Sequence, residues 1–279
     1  MTELVRDPEV FTELADAARA RGALGLVPTM GALHAGHVAL LERARAQCET
    51  VACTIYVNPL QFSEGADLAR YPRDLAADLT VLEALGIEYC FAPTDAAMYP
   101  HPPVVTVDPG PLGDVLEGAA RPGHFRGVAT VVAKLFAIAG RSRAYFGEKD
   151  YQQLVIVRRL VRDLSIPVEI VACETIRGDD GLALSSRNAL LSPEERLAAP
   201  VLFGALVAGA AAVAAGSSSE ETEATMAAVV AKEPLVDLDY AVVRTTDLAA
   251  VGRPEGEVRL LIAARCGAIR LIDNMAATR

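Results

Sequence analysis

Apolar and polar positions follow one rhythm up to about residue 175 and another after it. In the first part, short apolar and β-branched runs at 23–27, 51–57, 89–91, 144–146 and 168–173 alternate with stretches of helical period at 37–47, 74–85, 123–140 and 151–164. Strands alternating with helices of this length predict an α/β fold built on a parallel sheet covered on both faces. Ligands bind such sheets at the carboxyl ends of the strands. Beyond residue 177, Ser192-Pro193-Glu194-Glu195 reads as a helix start, with Ser192 as N-cap and Pro193 in the first turn. An Ala-rich helix follows, then a break at Gly216-Ser217-Ser218-Ser219 and a second helical stretch at 220–232. Strands at 239–244, 258–264 and 268–272 complete a smaller α+β domain, the last two joined by a short turn around Arg265–Gly267. The boundary is expected at 175–180, with Gly178–Gly181 as the hinge, giving domains of residues 1–175 and 176–279.

Residues 197–215 carry no charge and are long enough in principle to cross a bilayer. Most of that run is Ala and Gly, and Pro200 interrupts it, so a helix packed inside a folded domain is expected and no membrane is invoked. A chain of 279 residues accommodates two domains and a sizeable core. A net charge of −10 argues against a nucleic-acid partner, which calls for a basic stripe. The basic cluster Arg158, Arg159 and Arg162 reads as the solvated face of an amphipathic helix. Cys48, Cys53, Cys90, Cys173 and Cys266 are scattered, odd in number and without a Cys-x-x-Cys pair. That pattern predicts small buried hydrophobes in place of a disulfide framework or a zinc site. Acidic residues come early at the N-terminus and no apolar h-region is visible, so the cytoplasm is the expected compartment.

Residues 28–37, Pro-Thr-Met-Gly-Ala-Leu-His-Ala-Gly-His, lead from a strand into a helix. A Gly-containing turn at such a junction presents backbone N–H groups and a positive dipole end, the arrangement that binds phosphate. His34 and His37 stand at the entrance, with Gly36 between them to let a ligand approach the backbone. A metal half-site or a capped surface turn would use the same residues, although the His-Glu-x-x-His pattern of metalloproteases is absent. The segment is similar to the His-x-Gly-His signature of the nucleotidyltransferase superfamily, whose members act on the α-phosphate of ATP.

Three further segments carry candidate chemistry. In Val57-Asn58-Pro59-Leu60-Gln61-Phe62, the amides Asn58 and Gln61 can grip a hydroxyl or a carboxylate without altering its charge, or Asn-Pro simply opens a turn. In Phe146–Gln153, Lys149 offers a point charge for a phosphoryl oxygen, Asp150 a helix cap or ribose contact, and Gly147 close approach of a base or sugar. A cation beside a helix N-terminus is locally unfavourable, and an anionic ligand resolves the conflict. In Gly181–Asn188, the hydroxyls of Ser185 and Ser186 and the guanidinium of Arg187 form either a compact phosphate clamp or a polar loop. Neither the P-loop pattern nor Gly-x-Gly-x-x-Gly is present, which removes support from P-loop kinases and ordinary dinucleotide dehydrogenases.

In this order and spacing the four segments resemble the pantoate–β-alanine ligase family. The likeness extends to Tyr71-Pro72-Arg73, Arg121–Phe125, the Thr130–Lys134 helix and Arg270–Asn274, nearly end to end. It implies a Rossmann-like N-terminal domain with a mobile C-terminal α+β lid, a homodimer, and ATP-dependent joining of (R)-pantoate to β-alanine with Mg²⁺. ATP contacts are implied at Met30, Gly31, Ala32, Leu33, His34, Ala35, Gly36 and His37, at Gly147, Glu148, Lys149 and Asp150, and at Ile176, Leu184, Ser185, Ser186 and Arg187. Gln61 and Gln153 are implied to hold pantoate, Gln61 also to lie near β-alanine, and His37 to donate a proton; Asn58 is added as a pantoate contact from its amide chemistry. Glu174 and Leu184 depart tolerably from many relatives. Ala77 precedes Asp78 where some relatives have adjacent aspartates, so Asp78 is kept only as a candidate metal ligand, the triphosphate supplying most of the Mg²⁺ shell.

The expected reaction is attack of the pantoate carboxylate on the α-phosphorus, followed by attack of the β-alanine amine on the acyl carbon. His34, His37, Lys149 and Arg187 are the expected catalytic groups, neutralising charge on the phosphates. A nucleotidylyltransferase that keeps AMP on its product, and a non-catalytic nucleotide sensor, are the alternatives. Each would release no free AMP together with an amide.

Overall fold

The computed structural model describes residues 1–62, 68 and 71–279. It divides into one unit of residues 1–147 and 152–173 and a second of residues 148–151 and 174–279. The first unit is built on a six-stranded sheet of β1 (Glu3–Val5), β2 (Leu24–Thr29), β3 (Thr50–Ile55), β4 (Tyr89–Phe91), β5 (Ser142–Gly147) and β6 (Val168–Cys173). The strand order is β1-β4-β3-β2-β5-β6 and every pairing is parallel. Order reverses between β2 and β5, which pair through Gly25↔Arg143 and Leu26↔Ala144. Their carboxyl ends, at Met30 and Gly147, therefore lie side by side at the topological switch point, where open α/β sheets bind ligands.

The strands take this form because they are apolar on both faces. Thr50 to Thr54 of β3 are all buried, as a central parallel strand covered by helices requires. The helix Ala35–Gln47 covers one side, setting Leu40, Leu41 and Ala44 against Val51, Cys53 and Leu82. Burial raises the Cys53 thiol far above its usual range and the Cys90 thiol to about 12. Both therefore behave as the expected small hydrophobes, and the five cysteines form no disulfide. Expected strands and helices in this unit match within a few residues. β1 has no counterpart among the expected strands: three residues between charged neighbours show no periodicity, yet Glu3–Val5 pairs with β4.

In the second unit, β7 (Val236–Thr245), β8 (Glu257–Cys266) and β9 (Ile269–Thr278) form an antiparallel sheet in the order β7-β8-β9. Helices Val201–Ala214 and Ser219–Val230 bury Leu202, Leu206, Val213, Met226 and Val230 against Val243, Leu260 and Ile262. Capping boxes start the helices at Ser192 and Ser218, each hydroxyl accepting from the third helical amide and each Glu reaching back. The helical run Pro193–Ala214 is long and apolar enough to cross a membrane by length and composition. It breaks at Pro200, and its Leu202 and Leu206 lie deep in the core of this unit.

β9 runs to Thr278, well past the expected end at residue 272. The added stretch contains Asp273 and Asn274, both buried, and Arg259 of β8 is buried beside them. Polar residues end a strand in a sequence pattern, but here partners inside the unit satisfy them.

Leu260 is fully buried in the C-terminal core. Leu260→Ala is expected to lower unfolding free energy by about 2–5 kcal/mol. Urea denaturation checks this, and a midpoint unchanged from wild type would contradict the packing described.

Candidate active site

The segment after β2 turns through two successive residues of positive φ, Gly31 at 82° and Ala32 at 52°. Only glycine fits position 31, since a Cβ there would lie 2.8 Å from Asp78 Oδ2 and 3.0 Å from Ile55 Cγ2. Ala32 in the left-handed region is strained by about 1–3 kcal/mol, and the turn persists because its amides are held. Thr29 Oγ1 accepts from Gly31 N at 3.1 Å, Asp78 Oδ2 from Ala32 N at 3.0 Å, and Asp78 Oδ1 from Leu33 N at 2.8 Å.

Asp78, 4 % exposed, is thus committed through both oxygens to two backbone amides. Its charge supports the turn, and among the described residues no group of three or more His, Cys, Asp or Glu side chains is gathered to hold a cation.

The turn delivers the chain into the helix Ala35–Gln47 with His34 as N-cap. His34 Nδ1 accepts from Gly36 N at 3.1 Å, and His37 Nδ1 accepts from His34 N at 3.3 Å. A ring nitrogen that accepts an amide hydrogen bears no proton, so each neutral imidazole carries its hydrogen on Nε2. The histidines thereby serve as reciprocal caps and as Nε2–H donors, with ring centroids 4.1 Å apart. A Cβ at Gly36 would meet the His34 ring at 2.9 Å. Its missing side chain makes room for the capping histidine. The capped-turn and ligand readings of this segment are therefore compatible, because capping sets the tautomer a phosphate needs.

The amide pair after β3 is arranged in two tiers. Asn58, 1 % exposed, donates through Nδ2 to Gln61 Oε1 and to Gly127 O, both at 3.1 Å, and accepts at Oδ1 from Leu60 N at 3.3 Å. Asn58 thereby orients the Gln61 side chain. With Oε1 occupied, Gln61 directs Nε2 toward Met30 Sδ at 3.1 Å and retains a second N–H. His124 Nδ1 lies 2.8 Å from Gln61 O, fixing the backbone as well. The sequence assigns His124 no role of its own, because a contact across 63 positions leaves no local pattern. Gln153 lies half-buried in the helix Tyr151–Asp163, in the same unit as Gln61.

The remaining expected residues lie in the second unit, apart from Gly147 at the end of β5, where a Cβ would meet nothing within 4 Å. Glu148–Asp150 form a 3₁₀ turn leading into the helix Tyr151–Asp163. The Glu148 carboxylate pairs with Arg259 Nη2 at 2.7 Å, so its side chain, expected at the nucleotide, is engaged within the protein. Lys149 is half-buried and Asp150 exposed. The segment with Ile176 and Leu184–Arg187 is a tight return: Leu184 N donates to Ile176 O at 2.9 Å and Gly178 N to Leu182 O at 2.9 Å. Ser185 caps the short helix Ser186–Leu190, its Oγ accepting from Arg187 N at 3.3 Å while its O–H stays available as a donor. Arg177 anchors this return with a bidentate pair to buried Asp273, at 2.6 and 2.9 Å.

Comparison with known proteins gives one consistent result. A family model described as pantoate-beta-alanine ligase matches residues 3–276. A pantothenate synthetase from Chloroflexus aggregans is 54 % identical over 274 residues, covering 95 % of this chain and 98 % of that protein. The crystal structure of pantothenate synthetase from Thermus thermophilus superposes with a TM-score of 0.91 at 46 % identity, covering 99 % of both chains. A pantoate-beta-alanine ligase from Francisella tularensis, crystallised with beta-gamma ATP and beta-alanine, gives 0.82 at 32 % identity, covering 99 % of this chain and 97 % of that one.

Asp78→Asn leaves one of the two turn amides facing an NH₂ group. The expected loss is about 1–3 kcal/mol of stability, read as a lower Tm. Unchanged Tm with a raised magnesium requirement would instead support Asp78 as a metal ligand.

Proposed function

The chain belongs to the pantoate–β-alanine ligase family, and on that premise we propose that it condenses (R)-pantoate with β-alanine, consuming ATP and releasing AMP and pyrophosphate through a pantoyl adenylate. The observation that carries the reading is the turn after β2. There a helix N-terminus and two Nε2–H imidazoles converge on a turn held by Asp78.

A carboxylate is a poor acyl donor, and adenylation supplies the leaving group that amide formation needs. A pantoate oxygen forms a bond to the α-phosphorus as the bond to the β-phosphate bridging oxygen breaks, and pyrophosphate departs. The β-alanine nitrogen then bonds to the acyl carbon as the bond from that carbon to the AMP oxygen breaks, and the amine loses a proton to solvent. His34, His37, Lys149 and Arg187 stabilise charge on the phosphates, His37 by a hydrogen bond donated from Nε2–H. Met30–His37 and Gly147–Asp150, with Ile176, Leu184, Ser185 and Ser186, contribute to the ATP site. Gln61 holds pantoate through its remaining N–H and adjoins β-alanine, and Gln153 completes the pantoate contacts. No side-chain nucleophile takes part.

Mg²⁺ accompanies ATP. The triphosphate would supply most of its ligands, with Asp78 as the candidate protein ligand. Residues 1–175 and 176–279 act as nucleotide-binding domain and lid, and the active form is a cytoplasmic homodimer.

Omitting each substrate in turn tests the reaction. ATP with pantoate alone is expected to release one equivalent of pyrophosphate per site, and AMP with pantothenate only after β-alanine is added. Absence of both pyrophosphate and pantothenate with all three present would refute the proposal. Lys149→Ala is expected to slow single-turnover adenylation by about 10²–10³. Gln61→Ala is expected to weaken pantoate binding by about 1–3 kcal/mol and to leave adenylation at saturating pantoate much less affected.

A further inference from the structure

Asn274 of β9 is 3 % exposed and uses every polar position of its side chain. Nδ2 donates to Glu148 O at 2.9 Å and to Lys149 O at 2.8 Å, and Oδ1 accepts from Arg259 Nε at 2.7 Å. Arg259 extends the network, with Nη2 on the Glu148 carboxylate at 2.7 Å and its guanidinium 4.0 Å above the Tyr151 ring. Tyr151 Oη in turn donates to Thr246 O at 2.9 Å.

The two carbonyls held by Asn274 belong to the peptide planes on either side of the Lys149 Cα. Fixing both planes fixes φ and ψ of Lys149, and with them the direction of its Cα–Cβ bond. The orientation of the Asn274 amide is itself dictated. Reversed, it would set an oxygen against two carbonyls and an NH₂ against a guanidinium.

We propose that Asn274, oriented by Arg259, is the positioning residue of Lys149, aiming the ammonium at the phosphates of ATP. The proposal rests on the assignment of Lys149 to those phosphates. The same strand serves the second phosphate segment, since Asp273 holds Arg177 and Arg177 Nη2 donates to Asn274 O at 3.2 Å. Adjacent residues of β9 therefore anchor both segments of this unit that are assigned to the nucleotide. Arg177 and buried Asp273 are an ion pair whose removal would disturb the whole unit, whereas Asn274 is neutral and, among the described residues, hydrogen-bonds through its side chain to the Lys149 turn and Arg259.

The test is a double-mutant cycle read by single-turnover pyrophosphate release at saturating MgATP and pantoate. The variants are Asn274→Ala, Lys149→Ala and the pair, with Tm recorded for each. Val243→Ala, in the core of the same unit, controls for lost stability alone. A misplacement of about 1 Å costs on the order of 10²-fold in rate, so Asn274→Ala is expected to slow release by about 10–100-fold. In the Lys149→Ala background its further effect is expected to fall below about threefold, because the group it aims is gone. Asn274→Asp, which turns a carboxylate oxygen toward the two carbonyls, is expected to repeat the loss and carries the cycle should the alanine variant not fold. The positioning role is overturned if the full factor recurs without Lys149, if both Asn274 variants keep the wild-type rate, or if Val243→Ala with an equal loss of Tm slows release as much. Should Lys149→Ala itself release pyrophosphate normally, the assignment of Lys149 falls and this proposal with it. A slow Lys149→Ala beside normal Asn274 variants removes the positioning role alone.

Discussion

The hydrogen bonds from Ala32 N and Leu33 N to the carboxylate of Asp78 fix the geometry on which the first unit's site depends. They hold two consecutive residues at positive φ, a conformation the chain would otherwise leave. Where that turn ends decides where the helix Ala35–Gln47 begins, and hence which residue is its N-cap. Histidine in that position uses Nδ1 to satisfy an orphan amide, and the proton remains on Nε2. One buried carboxylate therefore governs backbone path, helix start and imidazole tautomer.

The second unit meets the same need differently. Its candidate phosphate groups lie on short irregular segments, a 3₁₀ turn at Glu148–Asp150 and the return through Ser185–Arg187. Irregular backbone has few ladder hydrogen bonds of its own and would wander without outside partners. Buried polar side chains on β8 and β9 supply them. Burying Arg259, Asp273 and Asn274 costs free energy unless every polar atom is satisfied, and an apolar sheet face would be at least as stable. What these residues add is direction: an amide and a guanidinium hold specific carbonyls at specific angles, which aliphatic side chains cannot do.

The parallel sheet is legible in the sequence because its strands are apolar on both faces and its helices are periodic. The junctions after β2, β3 and β5 are legible because Gly, His and Lys at strand ends are chemically unusual. What the sequence does not disclose are long-range polar contacts. Asp78 reaches back about forty-five positions to its amides, His124 meets the Gln61 carbonyl across 63, and Asn274 meets Lys149 across 125. The expected end of β9 at residue 272 falls short for the same reason, since Asp273 and Asn274 read as a strand end unless their partners are known. Local rules fail at positions where a polar side chain is buried for a task.

Asn58 and Gln61 show how the two kinds of information combine. The sequence offers the pair of amides after β3 as a gripping site, and burial distinguishes the two. Asn58 spends both Nδ2 hydrogens on Gln61 and Gly127, and so Gln61 alone retains a donor. Asn58 under Gln61 and Asn274 under Lys149 repeat a single construction: a buried polar side chain, its hydrogen bonds made, beneath a residue with a donor or a charge to offer. An adenylating site that forms no covalent enzyme intermediate depends on fixed donors, because a donor that must reorganise as charge develops loses much of its effect. Rigid polar supports beneath the contacting groups follow from that requirement.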